Sequence, residues 1–315
     1  MGSVQTALIA QHFSFSSSDG VHGVHACRWL PEGPPRGVVQ LVHGIAEHIG
    51  RYDDFARFLA EQGFAVYGHD HLGHGRTASG PEEYGVSAKR GWDWMVQDVR
   101  TLRETAGAEF PGVPYFLLGH SMGSFLARTY LIRWPGTVDG CILSGTGQES
   151  GSLVALGKGL SSLVAGVRGA GARSKLVTFL SLGAYNRQFR PNRTANDWLS
   201  TDPAVVDAYE ADPFCGFFPT VGLFRAMMGG LQEIGSPRNL ARMDREIPVL
   251  FFSGEQDPVG GCGKGVRKVA DLFRGAGVQD ISVILYPGGR HEMLNGQGRE
   301  RVFRDVADWL QEKLK

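Results

Sequence analysis

The sequence lacks a long apolar run and a paired set of cysteines. No apolar run approaches the length that spans a bilayer, and residues 1–10 lack the basic start, apolar core and cleavage site of a secretory signal. These absences predict a cytoplasmic protein. The cysteines are scattered without paired spacing, which favours free thiols over a disulfide framework or a zinc site. They are Cys27, Cys141, Cys215 and Cys262.

The sequence also lacks a surplus of charge of either sign, because 32 basic residues balance 32 acidic ones. This balance gives no global attraction to nucleic acid, so we expect no nucleic-acid partner. Hydrophobic residues make up 42% of the chain, which argues against a disordered or fibrous protein. At 315 residues, the chain has room for one large α/β domain with an insertion or for two modest domains.

Predicted strands and helices alternate from residue 37 onward, after an N-terminal hairpin. Apolar runs followed by stretches of helical spacing are typical of a mostly parallel sheet with helices on both faces. The alternation stops near residue 145 and resumes near residue 247. We therefore predict a core of residues 1–144 and 247–315 with an inserted, mainly helical cap of residues 145–246. The predicted strands cover residues 12–15, 24–29, 37–42, 64–67, 114–118, 138–144, 248–252 and 281–286.

Ser121 lies between two glycines where an apolar run ends. The run before it is expected to form a buried strand, and residues 125–132 have the pattern of a helix. Gly119 and Gly123 complete a Gly-x-Ser-x-Gly pattern, which in this setting is typical of a nucleophile elbow. Because the chain holds 45 glycines, the pattern could arise by chance. The strand predicted before it and the helix predicted after it make it significant.

Asp257 and His291 each follow a later predicted strand. The carboxyl ends of parallel strands meet at one edge of a sheet, so both side chains are expected near Ser121. The order serine, aspartate, histidine along the chain is that of an α/β-hydrolase. In this interpretation His291 takes the Ser121 proton as general base, and Asp257 orients the imidazole. Glu255 is an alternative acid, and Glu292 is a further spare carboxylate.

The backbone after two predicted strands offers hydrogen-bond donors for an oxyanion. The N–H of Met122 directly follows the nucleophile at the start of a helix. The N–H of Ile45 follows His43 and Gly44, where the chain can approach a substrate closely. We predict an oxyanion hole made by Ile45 and Met122, with His43 and Gly44 bordering the substrate. A plain strand-ending turn is the alternative for this His-Gly pair.

Three short motifs share their residues with one enzyme family. They are His43-Gly44-Ile45-Ala46-Glu47-His48 with Arg51-Tyr52, Asp70-His71-Leu72-Gly73-His74-Gly75, and Gly119-His120-Ser121-Met122-Gly123. In them the chain resembles the monoacylglycerol lipase and lysophospholipase group of α/β-hydrolases, and Asp257 and His291 match its remaining triad positions. The resemblance implies an ester hydrolase for single-chain acyl lipids, with Ile45 and Met122 as oxyanion donors. Ile45 departs from the group, in which a small residue is frequent.

Histidines that follow the predicted strand 64–67 allow a rival interpretation as a metal site. The metal-binding motif of metallo-hydrolases has an aspartate just before its last histidine, where this chain has Gly73. Gly73-x-Gly75 also matches part of a dinucleotide fingerprint, but no helix is predicted directly after it. We therefore predict a polar loop that borders the active site and holds no metal or cofactor. The histidines are His69, His71 and His74.

No acidic residue occurs between Ser150 and Asn196, a stretch that is also rich in leucine and valine. Basic residues around an apolar face are typical of an interfacial helix that contacts an anionic membrane. The alternative is a cap that packs its apolar face on the core and leaves its charges in water. The basic residues are Lys158, Arg168, Arg173, Lys175, Arg187, Arg190 and Arg193.

Taken together, the residues predict a serine hydrolase that cleaves carboxylic esters of medium or long acyl chains through an acyl-enzyme and needs no cofactor. An amidase or aminopeptidase on the same fold is one alternative, for which Glu210, Asp212 and Glu233 could hold a substrate amine. A hydrolase-fold binding protein without turnover is the other, although such proteins normally lack a triad member. The oligomeric state stays open. Candidates for the acyl pocket are Phe214, Phe217, Phe218, Phe224, Met227 and Met228.

Overall fold

The computed structural model describes residues 9–174 and 183–314, and its centre is a sheet of eight strands. They are β1 (Gln11–Ser16), β2 (Gly23–Trp29), β3 (Gly37–Val42), β4 (Phe64–His69), β5 (Tyr115–His120), β6 (Gly140–Ser144), β7 (Val249–Gly254) and β8 (Ile281–Tyr286). Their order across the sheet is β1-β2-β4-β3-β5-β6-β7-β8. The pairs β1–β2 and β2–β4 are antiparallel, and the others are parallel. The predicted mostly parallel sheet is confirmed.

Helices cover both faces of the sheet, as predicted. They are α1 (Asp53–Glu61), α2 (Gly91–Glu109), α3 (Met122–Arg133), α4 (Gly151–Arg168), α5 (Pro203–Ala211), α6 (Val221–Ile234), α7 (Pro237–Leu240), α8 (Lys264–Gly275) and α9 (Arg299–Lys313), with 3-10 turns at Ile49–Tyr52, Pro81–Glu83 and Tyr185–Phe189. Strand residues alternate between two cores. Val38 and Val42 belong to the core beneath α2, α3 and α8, and Val39 and Leu41 belong to the core beneath α1 and α9.

The strand that carries the Ser121 elbow is longer than its apolar run predicts. β5 ends at His120 because Gly119 and His120 continue to pair with β6, opposite Leu143 and Ser144. β6 in turn begins later than predicted, at Gly140. Just before it, Asp139 donates its N–H to Tyr115 O (2.7 Å), and its carboxylate accepts a hydrogen bond from Tyr115 N (2.7 Å). The turn that holds Ser121 therefore starts directly at the edge of the paired sheet.

Between β6 and β7 the chain leaves the sheet for residues 145–248, called the inserted segment below. Its described parts, 145–174 and 183–248, contain α4 to α7 and no strand. α6 packs against α4 and also against α2 and α3 of the core. Lys175, one of the basic residues of the acid-free stretch, lies outside the described residues. None of the described helices has both the length and the apolar character that crossing a membrane requires.

Candidate active site

Ser121 lies at the tight turn between β5 and α3. Its φ of 53° is positive, a conformation that few non-glycine residues adopt. Three hydrogen bonds fix the turn. Ser121 N donates to Ser144 O (3.0 Å), and Ser124 donates from both N (2.9 Å) and Oγ (2.6 Å) to Ser121 O. Cβ atoms at Gly119 or Gly123 would overlap with the backbone of the turn or of the end of β3. The two glycines therefore permit the elbow geometry that the motif predicts.

His291 and Asp257 follow β8 and β7 and form a buried hydrogen-bonded pair. His291 Nδ1 lies 3.0 Å from both carboxylate oxygens of Asp257. The carboxylate also accepts hydrogen bonds from Ser253 Oγ (2.7 Å) and Val259 N (2.9 Å), so its orientation is fixed. Because Nδ1 is bound to the carboxylate, Nε2 is the ring nitrogen left for proton exchange. The side chain of Glu255, the alternative acid, is exposed.

The charges of this pair shift both pKa values toward the ionised forms. Burial alone would raise the pKa of Asp257, but the charge of His291 and the hydrogen bonds to the carboxylate hold that pKa below its usual range. Burial alone would lower the pKa of His291, but Asp257 raises it above the ordinary value of 6.5. Glu292 and Glu47 raise the pKa of His291 further. The imidazole is therefore a stronger base than a free histidine.

Two further rings pack on His291. The centroid of His120 lies 4.6 Å from that of His291, and the centroid of Trp198 lies 5.0 Å from it. Burial, together with the nearby His291, lowers the pKa of His120 to about 3, so this imidazole is neutral, and its Nδ1 lies 3.0 Å from Ser144 Oγ. No sequence pattern identified Trp198, because it lies in the inserted segment outside any recognisable motif.

Residues 43–48, called the oxyanion loop below, lie next to the elbow. A Cβ atom on Gly44 would be 3.1 Å from the Cβ of Ser121. Ile45 and Met122 line a cavity together with Ser121. The N–H of Met122, at the first position of α3, has no carbonyl partner within its own helix. The structure thus brings both predicted oxyanion donors to the elbow, where they can face a developing negative charge.

A buried ionic network joins the oxyanion loop to the residue after His291. Arg51 donates from Nη1 and Nη2 to the two carboxylate oxygens of Glu292 (2.5 and 2.6 Å) and from Nη1 to Glu47 (3.0 Å). The other Glu47 oxygen accepts hydrogen bonds from Gly44 N (2.5 Å) and Tyr52 OH (2.9 Å). Arg51 and Glu47 belong to a motif recognised in the sequence, but nothing in the sequence pairs them with Glu292.

A cavity of about 450 Å³ opens on one side of Ser121. Apolar side chains of α4 and α6 form most of its wall, and Trp198 and Phe125 add to it. Three of the predicted acyl-pocket residues, which all lie on α6, line this cavity. They are Phe224, Met227 and Met228.

A second cavity, of about 300 Å³, also reaches Ser121. Its wall is more polar, with the carboxylates of Glu47, Glu210 and Glu292 and the amide of Asn196. His291, Gly44, Phe217 and Phe218 border it as well. Ser121 and Ile45 line both cavities, so the hydroxyl lies where an apolar space meets a polar one.

Two of the predicted substrate-binding residues lie away from the walls of both cavities. The ring of His43 is fully buried and packs on His71 with centroids 4.0 Å apart, while its Nδ1 donates to Gly44 O (2.7 Å). Phe214 packs on His48 and Tyr84. The buried ring of His43 therefore supports the rest of the oxyanion loop, and Phe214 belongs to an aromatic cluster beside the loop.

His69 ends β4, His71 and His74 follow it in the predicted polar loop, and all three side chains are buried. Burial lowers the pKa of His69 and of His74 to about 4 and that of His71 well below 6.5. His71 Nε2 donates to the carbonyl of His43 (3.0 Å), and His74 Nδ1 donates to that of Leu72 (3.0 Å). Within the part of the chain that the structure describes, these three do not form a set of converging ligands. Their packing beneath the oxyanion loop explains their burial.

Comparison with known proteins places this geometry in a family. The model of the family described as Hydrolase_4, serine aminopeptidase S33, matches residues 33–298. The monoacylglycerol lipase of Mycolicibacterium smegmatis is 34% identical over 307 residues, which cover 94% of this chain and 95% of that protein. The monoglyceride lipase of Homo sapiens is 28% identical over 296 residues, covering 91% of this chain and 86% of that protein.

The fold of this chain is similar, over nearly its whole length, to that of a solved structure. The thermostable carboxyl esterase of Bacillus coagulans, in complex with glycerol, superposes with a TM-score of 0.90 at 30% identity and covers 98% of this chain and 100% of that one. The matched residues 33–298 include the elbow and the segments after β7 and β8 that carry Asp257 and His291. The chain belongs to the α/β-hydrolase family of serine hydrolases that includes these monoacylglycerol lipases.

Proposed function

We propose that this protein cleaves monoacylglycerols, lysophospholipids or related esters of a single acyl chain. The observation that carries the proposal is the position of Ser121 between the two cavities. The apolar cavity of about 450 Å³ suits an acyl chain, and the smaller cavity with its carboxylates and amide suits a hydroxyl-bearing alcohol. An ester bond at Ser121 would have its acyl part on one side and its alcohol part on the other.

The proposed reaction proceeds through an acyl-enzyme. His291 takes the hydroxyl proton of Ser121 as the oxygen attacks the ester carbonyl, and Asp257 stabilises the imidazolium that forms. The N–H groups of Ile45 and Met122 donate to the oxyanion of the tetrahedral intermediate. His291 then gives its proton to the leaving alcohol, and a water molecule activated by the same imidazole releases the fatty acid.

The relatives support an ester substrate. Two of them are named as lipases of monoacylglycerols, and the similar esterase structure contains glycerol. The family description also names an aminopeptidase, which would need a carboxylate to hold a substrate amine. Of the three carboxylates considered for that role, Asp212 pairs with His48 and Glu233 pairs with Arg133. Glu210 borders the smaller cavity and accepts a hydrogen bond from Asn196, so an amine substrate is the second candidate.

A substrate panel separates these candidates. We expect kcat/KM to be highest for monoacylglycerols or lysophospholipids with medium or long chains, lower for short p-nitrophenyl esters and lowest for fatty amides and aminoacyl amides. A preference for aminoacyl amides would overturn the lipid proposal in favour of the aminopeptidase. Absence of turnover on the whole panel, with no labelling by a fluorophosphonate, would instead indicate a binding protein.

A variant of the larger cavity tests where the acyl chain binds. Leu160 of α4 lines that cavity, and Leu160→Trp should shorten it. We expect kcat/KM for long-chain esters to fall about tenfold or more, while acetate esters are hydrolysed as by the wild type. Equal losses for long and short esters would contradict the assignment of this cavity to the acyl chain.

The pH dependence of kcat/KM tests the role of His291. The imidazole must be neutral to accept a proton, and its pKa is raised above 6.5. We therefore expect activity to rise with pH through an apparent pKa above 6.5 and to be lost below it. Asp257→Asn removes the carboxylate that raises this pKa, so the acid limb of the residual activity should move to lower pH. An acid limb that stays in place would contradict the pairing.

We further propose that the inserted segment, including residues 145–246, acts as a cap that contacts the lipid surface. Several large apolar side chains of α4 are more than half exposed, and Lys158 and Arg168 lie on the same helix. An apolar face flanked by basic residues favours contact with anionic lipid. The exposed side chains are Leu153, Leu156, Leu163 and Val167.

Vesicle binding tests this contact. The double variant Leu156→Ser, Leu163→Ser should bind several-fold less to vesicles that contain anionic lipid, because it removes two exposed apolar anchors. Val21→Ser is the matched control, since Val21 is 82% exposed but lies on the turn of the N-terminal hairpin. Unchanged sedimentation of the double variant with vesicles, at low and at high salt, would count against the contact.

A further inference from the structure

Three side chains that bind transition metals converge on the N-terminal hairpin. The register of β1 and β2 places His12 opposite Cys27, and His25, two residues from Cys27, points to the same face of the sheet. His12 Nδ1 lies 3.0 Å from His25 Nε2 and 3.2 Å from Cys27 Sγ. All three atoms lie within 4.8 Å of one another.

Asp70 sets the tautomer of His25 in a way that suits metal binding. Its Oδ2 lies 3.0 Å from His25 Nδ1, and its Oδ1 accepts a hydrogen bond from Ile49 N (2.8 Å), which fixes the orientation of the carboxylate. The Asp70 oxygen accepts the Nδ1 proton, which leaves a lone pair on Nε2, the nitrogen that lies nearest to His12. A carboxylate behind a metal-binding histidine is the arrangement that commonly orients such ligands.

A second cluster, formed by His48, Asp212 and Cys215, provides a contrast. His48 Nδ1 accepts a hydrogen bond from Gly50 N (3.2 Å), so the proton is on Nε2 and is donated to Asp212 (2.9 Å). That nitrogen has no lone pair to offer. The histidines of the two clusters thus differ in tautomer. Of these two clusters of described residues, the first has an Nε2 lone pair that can bind a metal, and the second does not.

We propose that His12, His25 and Cys27 bind one Zn²⁺ ion, with water as the fourth ligand. Two imidazoles and a thiolate are typical zinc ligands. A tetrahedral zinc ion sets such ligand atoms roughly 3.4–3.6 Å apart. His12 Nδ1 therefore has to move only a few tenths of an ångström away from His25 Nε2 and Cys27 Sγ, and those two atoms already lie within 4.8 Å of each other. His12 can give this movement because it is exposed on β1, the edge strand.

The surroundings of Cys27 favour a cation. The Asp70 carboxylate, bound to Nδ1 of His25, places a negative charge one imidazole ring away from the ligand atoms, which favours a divalent cation there. On binding, the S–H bond breaks, the thiolate bonds to zinc and the proton leaves to the buffer. The metal would fasten the edge strand β1 to β2.

Titration of the full chain with Co²⁺, after treatment with a chelator, tests the proposal. We expect one Co²⁺ per chain, with a thiolate-to-cobalt absorption band and the intense visible bands of a four-coordinate ion, and displacement of both by Zn²⁺. Cys27→Ser should abolish the thiolate band, and His12→Ala should weaken binding about a hundredfold or more. Zn²⁺ should raise the Tm of the wild type but not that of His12→Ala.

Two controls make the outcome specific. Cys215→Ser removes the thiol of the second cluster, and His22→Gln removes a histidine that pairs with Asp19 on the same hairpin. Both variants should bind Co²⁺ as the wild type does. Absence of the thiolate band in the wild type, its survival in Cys27→Ser, its loss in Cys215→Ser, or unchanged affinity in the exposed His12→Ala variant would each overturn the proposal.

Discussion

Replacing Ser121 with alanine is expected to lower ester hydrolysis by about 10⁵-fold, because no other group can form the acyl-enzyme. Labelling by a fluorophosphonate should disappear in the same variant. Ser161 offers a matched control, since it is a buried serine that lines the larger cavity, and Ser161→Ala should keep both labelling and turnover. Persistent labelling of Ser121→Ala would show that another residue is the nucleophile.

The backbone at Ser121 allows a second test that does not depend on activity. Alanine keeps the Cβ atom and the unfavourable φ of 53°, whereas glycine adopts such angles at little cost. Ser121→Gly should therefore be inactive and yet about 1 kcal/mol more stable than Ser121→Ala in urea unfolding. Equal free energies of unfolding would mean that the elbow is not strained.

Replacing Arg51 with methionine should have the largest effect on stability. The variant leaves the carboxylates of Glu47 and Glu292 buried without their partner, which is expected to lower the free energy of unfolding by about 3–5 kcal/mol. It should also lower kcat, since Glu47 holds Gly44 of the oxyanion loop and Glu292 follows His291. Urea unfolding and steady-state kinetics measure the two effects.

A change in pH dependence distinguishes positioning from a general loss of structure. With Arg51 gone, the negative charges of Glu47 and Glu292 act on His291 without compensation, so the acid limb of kcat/KM should move to higher pH. Arg51→Lys keeps the positive charge but loses the paired hydrogen bonds that the guanidinium donates to Glu292, so we expect an intermediate shift of the acid limb. Arg133→Met is the control, because Arg133 pairs with Asp93 and Glu233. A loss in Arg51→Met no larger than in Arg133→Met would refute the assignment.

The sequence predicted the sheet well because its strands carry strong local signals. Each parallel strand is an apolar run bounded by turn residues, and the run before Ser121 ends in glycines that a tight turn requires. Asp257 and His291 could be paired in advance because the ends of parallel strands meet at one edge, and the structure brings them together at 3.0 Å. Such inferences need only the hydrophobic pattern of the strands and the order of the residues along the chain.

Contacts between distant elements carried no such signal. The partner of Arg51 is Glu292, which lies at the opposite end of the chain, and Trp198 reaches His291 from the inserted segment. The cysteine spacing argued against a metal site, yet the register of a hairpin sets Cys27 opposite His12. The burial of His71 and His74 was likewise missed, since three histidines near a strand end look polar when taken alone.

β6 and β7 are neighbours in the sheet, with Cys141 opposite Val249, although the inserted segment separates them along the chain. The entropy lost on closing such a loop grows only with the logarithm of its length, at about 0.6 kcal/mol for each doubling. The entropy of closing the loop therefore changes very little when the segment is lengthened or shortened at its exposed turns. Because the segment supplies most of the larger cavity, evolution can alter which acyl chain is accepted while Ser121, Asp257 and His291 stay in place.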